Sequence, residues 1–194
     1  MLGDGHTLTI GGEYVYTKPP LNGNIRDDKF DIVVVKIDDS VVNELKNIGY
    51  NFLEIDNVST IYNPKETDDV LVVGFPGSQL KLDSSAKKVT AKPFIFKTKL
   101  LPKKSYQTPF TENTHIFAKY SINKVVDVKT GRVKRGPKPH GLSGSGLWLL
   151  QKHNEFEYKF HLISILFEYD DTKAMLLSTK INLFIEVLKQ KFDS

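Results

Sequence analysis

The chain's 194 residues are 40% hydrophobic and 26% charged, the proportions of one ordinary globular domain with a real core. They include no cysteine, which excludes disulfide staples, thiolate metal sites and a cysteine nucleophile, and fits a reducing compartment. The net charge of +4 hides an asymmetry: residues 85–138 carry 14 of the 27 Lys/Arg against only Glu112 and Asp127, so this segment is +12 and the remainder −8.

In chain order, the expected strands are 6–10, 13–17, 32–37, 70–73, 88–92, 94–100, 114–120, 147–150, 158–167 and 174–179, short β-type runs separated by turn residues. The breakers include Pro19-Pro20, Phe75-Pro76-Gly77 and Gly136-Pro137. This spacing predicts an all-β sandwich or barrel rather than βαβ units. Two helices interrupt it. Residues 40–48 form a short one, with Ser40 as N-cap and Val41, Leu45 and Ile48 on one side. The second ends the chain: Thr179 caps a helix whose Ile181, Phe184, Ile185 and Leu188 recur at i, i+3, i+4 and i+7, with Lys189 and Lys191 in its last turn. No apolar run reaches the roughly 18–20 residues that span a bilayer. The opening Met1-Leu2-Gly3-Asp4-Gly5-His6 has neither the basic start nor the apolar stretch of a leader, so no membrane partner and a cytoplasmic location are expected.

The basic segment reads either as an anion-attracting surface, for phosphates or an acidic partner, or as a solvated face. Its bases are not interleaved with aromatics in a nucleic-acid motif, so nucleic acid is not an expected partner. The histidines lack metal-ligand spacing and no phosphate-binding loop occurs, so neither metal nor cofactor is expected.

The segment richest in chemistry is His140-Gly141-Leu142-Ser143-Gly144-Ser145-Gly146-Leu147-Trp148, a serine among glycines followed by an apolar β run. Glycines let the backbone turn sharply and expose its N–H groups, as a nucleophile beside an oxyanion hole requires. A hydrolase elbow would need a strand before the serine and a helix after it, and here the order is a Pro/Lys-rich loop and then a strand. A flexible Gly/Ser loop is the plainer alternative. The second segment is Asp31-Ile32-Val33-Val34-Val35-Lys36-Ile37, an aspartate at the mouth of what reads as a buried β-branched strand. Such a group is held still enough to orient an imidazole, although an aspartate before a strand also serves as a turn residue.

Together these stretches resemble the trypsin-like serine peptidases, and more closely their cysteine-free bacterial branch that includes the glutamyl endopeptidases. Val72-Val73-Gly74-Phe75-Pro76-Gly77, the turn opening a second barrel, Leu162-Ile163-Ser164-Ile165, a strand beside the substrate, and the terminal helix complete the likeness in the same order. The resemblance implies two six-stranded antiparallel β-barrels, the first incomplete, with a C-terminal α-helix. The first barrel's remainder would occupy about 1–65, the second about 66–178, and the helix 179–192 of one peptidase domain.

Carried over, the resemblance makes Ser143 the acyl-forming nucleophile, Asp31 the residue that orients the catalytic histidine, and the N–H groups of Gly141 and Ser143 the oxyanion hole. Lys138 and His140 would line one wall of the specificity pocket, and Leu166, Phe167 and Glu168 the opposite one, with Ile165 in the strand beside the substrate. Leu142 stands where the animal digestive enzymes have an aspartate that pairs with a new amino terminus, so that route of activation is not implied. Glutamyl endopeptidases have a histidine where Leu166 stands. Their glutamate preference is therefore not implied either, although Lys138 favours acidic side chains nearby.

The family's histidine follows a Thr-Ala-Ala-His-like motif, and nothing of that form precedes Asp31. Only His6 does. Three readings stay open: a shortened chain that has lost the histidine, a silent pseudopeptidase that binds a protein or nucleic acid, and His6 as the base after an unusual loop. His115, His153 and His161 fall in strand-like or turn-like stretches and are expected to be structural. The expectation is thus a serine endopeptidase domain acting on peptide or protein substrates. An open first barrel would also expose edge strands and apolar surface, a route to self-association.

Overall fold

The computed structural model describes residues 12–18, 23, 28–58, 65, 68–83, 85, 88–128, 130–155 and 157–192. The strand expected over 6–10, with His6, lies outside them. The fold is all-β with a C-terminal helix, and the chain forms two compact units, 1–56 with 184–194 and 57–183.

In the first unit, β1 (Gly12–Tyr16) pairs antiparallel with β2 (Val33–Ile37), Tyr14 opposite Val35 and Tyr16 opposite Val33. Side chains alternate across a strand, so these four share one face, and all four are exposed. Ile32 and Val34 on β2's other side are buried. The strand expected to be buried is therefore half-exposed. Asp28 organises its entry by accepting hydrogen bonds from the Thr17 hydroxyl and the Phe30 N–H.

Helix α1 (Asp39–Asn47) follows, with Asp38 rather than Ser40 at its N-cap. The Asp38 carbonyl already accepts from the N–H groups of Val41 and Val42, which places Ser40 inside the first turn. At the other end Gly49, at φ +92°, donates to Lys46 O and Tyr50 donates to Leu45 O. That pair of bonds satisfies the last carbonyls and needs the left-handed backbone that glycine supplies without strain.

The second unit contains β3 (Asp69–Gly74), β4 (Leu80–Asp83), β5 (Lys88–Ala91), β6 (Phe94–Lys99), β7 (His115–Lys119), β8 (Val125–Asp127), β9 (Val133–Lys134), β10 (Gly146–Lys152), β11 (Tyr158–Asp170) and β12 (Met175–Lys180). β4 and β5 form a separate two-stranded ribbon. The others pair antiparallel in the order β7-β12-β11-β10-β3-β6-β8-β9. A bridge between Leu100 and Ala118 joins the end of β6 to β7, and Leu101 N–H donates to Phe117 O at 2.8 Å. Six strands, β3, β6, β7, β12, β11 and β10, therefore close into a ring, with β8 and β9 branching from β6.

Period-2 alternation fills the ring. Val70 and Val72, Phe94 and Phe96, Ile116 and Ala118, and Leu147 and Leu149 project into one cluster with Ile163 and Leu176. Their neighbours Phe117, Met175 and Leu177 face the other way, under Tyr106, Phe110 and Phe167. Buried hydroxyls are paired: Ser164 donates to Ser178 at 2.8 Å, and Ser178 to Ile116 O at 2.5 Å. Thr179, expected to cap the last helix, is a buried β12 residue opposite Ile165 and His115, and α2 (Ile181–Phe192) opens directly after Lys180. Among the described residues, no helix is long and apolar enough to cross a membrane.

Candidate functional site

Ser143 sits at the crest of two consecutive tight turns. Leu142 N–H donates to Pro139 O and Ser145 N–H to Leu142 O, both at 3.0 Å. In each turn the third residue is a glycine with positive φ, Gly141 at +86° and Gly144 at +83°. That backbone geometry is available to glycine without a Cβ penalty, so the spacing Gly-Leu-Ser-Gly is read directly by the chain's path. Leu142, between the turns, is 2% exposed and anchors the loop in the ring's core.

The turns are clamped from two sides. Gly77 N–H donates to His140 O at 2.9 Å, and a Cβ on Gly141 would lie 2.7 Å from Gly77 N. The end of β3 is equally close, since a Cβ on Gly74 would lie 2.0 Å from Ser145 Oγ. On the opposite side Gly144 N–H donates to Leu166 O and Leu166 N–H to Ser145 O, at 2.8 and 2.9 Å. Tyr120 closes the rear: its hydroxyl donates to Pro137 O. Burial pushes that phenol up to about 12, so it remains a neutral donor across ordinary pH.

β11 carries a bulge between Leu166 and Glu168. The extra residue, Phe167, turns its carbonyl to the Ser143 hydroxyl, which donates to it at 2.8 Å. Ser143 is exposed. Neither Gly141 N–H nor Ser143 N–H has an acceptor among the described residues. The crest therefore offers one hydroxyl and two undirected backbone donors to solvent.

The second unit brings Ser143, Gly141, His140 and the main chain of Leu166 together. Lys138 is exposed with no ion-pair partner among the described residues, and Glu168 is exposed beside the bulge. Ile165 pairs with Gly146 and Thr179. The Leu166 side chain, expected at a pocket wall, is 2% exposed within the core, because strand alternation directs it inward and leaves only its main chain at the loop. Sequence reasoning did not find Phe167 as the hydroxyl's acceptor, since a bulge leaves no mark in hydrophobic periodicity.

Asp31 belongs to the first unit. It is exposed, has φ +46° in the left-handed region that aspartate tolerates better than most residues, and has no hydrogen-bond or ion-pair partner among the described residues. No imidazole of the described residues hydrogen-bonds to Ser143. His115 is fully buried, its Nδ1 2.7 Å from Thr114 Oγ1 and its ring edge-on to Phe110. No protein-family model matches this chain, and no curated protein matches it.

Proposed function

We propose that this chain is a trypsin-like serine endopeptidase domain, hydrolysing peptide bonds through an acyl-enzyme on Ser143. The observation that carries this reading is the crest itself: an exposed hydroxyl on a loop pinned from both sides, with the N–H groups of Gly141 and Ser143 free to receive charge. A closed antiparallel ring of six strands followed by a helix is further support, since it matches the second of the two barrels that the sequence likeness implies.

In this mechanism Ser143 Oγ attacks the scissile carbonyl carbon and its proton passes to an imidazole. The oxyanion that forms accepts from Gly141 and Ser143 N–H. Loss of one such donor typically costs about 100- to 1,000-fold in rate. Collapse expels the amine, which takes the proton, and water then cleaves the ester by the same steps in reverse order. Asp31 is the group that the likeness assigns to orienting the imidazole. His6, the candidate base within the chain, lies outside the described residues.

One observation favours a second reading, a silent binding module on the same scaffold: the Ser143 hydroxyl donates to a carbonyl rather than to a base. A fluorophosphonate probe separates the two. The endopeptidase reading expects a covalent adduct on Ser143 by peptide mass mapping, faster when free imidazole is supplied as base and absent in Ser143→Ala. No adduct with or without imidazole rejects the enzyme and leaves the silent module.

A further inference from the structure

Apart from Lys138, the positive charge of residues 85–138 has no role assigned at the Ser143 crest, and the fold gathers part of it around a cavity. β6 pairs with β8 through Phe96 and Lys97, while among the described residues its links to β7 are the bridge at Leu100 and the Thr98 hydroxyl, which donates to Lys119 O at 2.5 Å, so no backbone ladder joins the strands between these points. The gap is a cavity of about 560 Å³, lined by residues of 96–99, 119–121 and 124–126. That is the size of an ordinary small-ligand site, about 300–1,000 Å³. None of its lining residues belongs to the Ser143 loop.

The lining includes four lysines, Lys97, Lys99, Lys119 and Lys124, and no acid. Lys97 and Lys99 share one carboxylate, Asp69, at 2.7 and 2.6 Å. Lys119 and Lys124 have no ion-pair partner among the described residues. Four lysines and no acid thus line a concavity, where low-dielectric walls concentrate positive potential and raise the local concentration of anions. The cavity backs onto Phe96, Tyr120 and Val125, all buried. The Tyr120 hydroxyl is already engaged with Pro137 O, so it does not compete for a ligand. Lysine stems add further apolar surface beneath their charged heads.

We propose that this cavity is a binding site for a small organic anion, its phosphate or carboxylate held by Lys119 and Lys124 and its apolar body seated against the half-buried Val126 and the lysine stems. A solvated lysine face does not account for the cavity's concavity together with its lack of acids. A nucleic-acid strand is disfavoured because Phe96 and Tyr120 are buried and offer no ring face for a base to stack on.

The test is an amide-resolved NMR titration of the whole chain with phenyl phosphate, phenylacetate, inorganic phosphate and benzyl alcohol. Saturable shifts confined to 96–99 and 119–126 are expected with phenyl phosphate or phenylacetate, and the tighter of the two identifies the anionic group. Inorganic phosphate and benzyl alcohol should each bind at least about tenfold more weakly, as each lacks one half of the ligand. Lys119→Glu/Lys124→Glu, both at the surface, should keep a dispersed amide spectrum and weaken binding about tenfold or more. No saturable shifts with either organic anion, or unchanged affinity in the folded double variant, overturns the proposal. Inorganic phosphate binding as tightly as phenyl phosphate overturns its apolar half.

Discussion

Gly141 shows how much one missing side chain can decide. Its φ of +86° alone disfavours any residue with a Cβ, and a Cβ there would also meet the main chain at Gly77, which cannot rotate away. Gly131 separates the two effects: its φ is +65°, but a Cβ there would meet nothing within 4 Å. Gly131→Ala should therefore cost only the left-handed penalty, roughly 1–2 kcal/mol. Gly141→Ala should cost about 1 kcal/mol more, from the backbone shift that relieves the contact. Paired urea melts give the difference directly, and equal losses at the two sites would refute the close approach. The same residue leaves its N–H undirected, so a shift of this loop would also displace the donors beside Ser143.

At the level of elements, the ring depends on how neighbouring strands meet. Asp69 on β3 accepts from Lys97 and Lys99 on β6, and these two hydrogen bonds hold its carboxyl below the usual range. A carboxylate whose folded pKa is depressed contributes stability that is present above its unfolded value of 3.8 and is lost as pH falls through the folded value. Both lysines are largely solvated, which limits the contribution to within about 1 kcal/mol. Asp69→Asn should thus lower stability at neutral pH by up to that amount, and the gap from the parent chain should close below about pH 4. Denaturant melts across pH 2–7 would show this closure, and a gap independent of pH would refute the ion-pair origin. The β11 bulge is an element-level decision of another kind. It moves one carbonyl, that of Phe167, to the Ser143 hydroxyl while the strand on either side continues its pairing.

Across the whole molecule, burial is uneven. Among the described residues, the buried apolar ones of the first unit are Ile32 and Val34, and Tyr14, Tyr16, Val33 and Val35 are exposed on one face of a two-stranded ribbon. Two strands alone are marginally stable, whereas a closed ring with a filled interior is cooperative. Hydrogen exchange should accordingly show amides of β1 and β2 exchanging about 100-fold or more faster than those of β3, β10 and β11. Equal protection would contradict that division. The all-β class was legible from β-type runs and turn residues, because alternation and Gly/Pro punctuation are local properties of the chain. So were α1, α2 and the glycine spacing around Ser143, which φ requirements write into neighbouring residues. β8 and β9 were not legible, since strands of two or three residues exist through their partners and carry too few positions to show a period, and β4 was missed as well. The inward turn of Leu166, the Phe167 carbonyl at Ser143 and the lysine cavity were hidden for the same reason. Each depends on which strand lies beside which, through closure between Leu100 and Ala118 and the bulge in β11. The sequence by itself determined the kinds of element and the turn that displays Ser143. The tertiary structure alone decided what faces that serine and where the positive charge converges, because pairing between strands distant in sequence sets both.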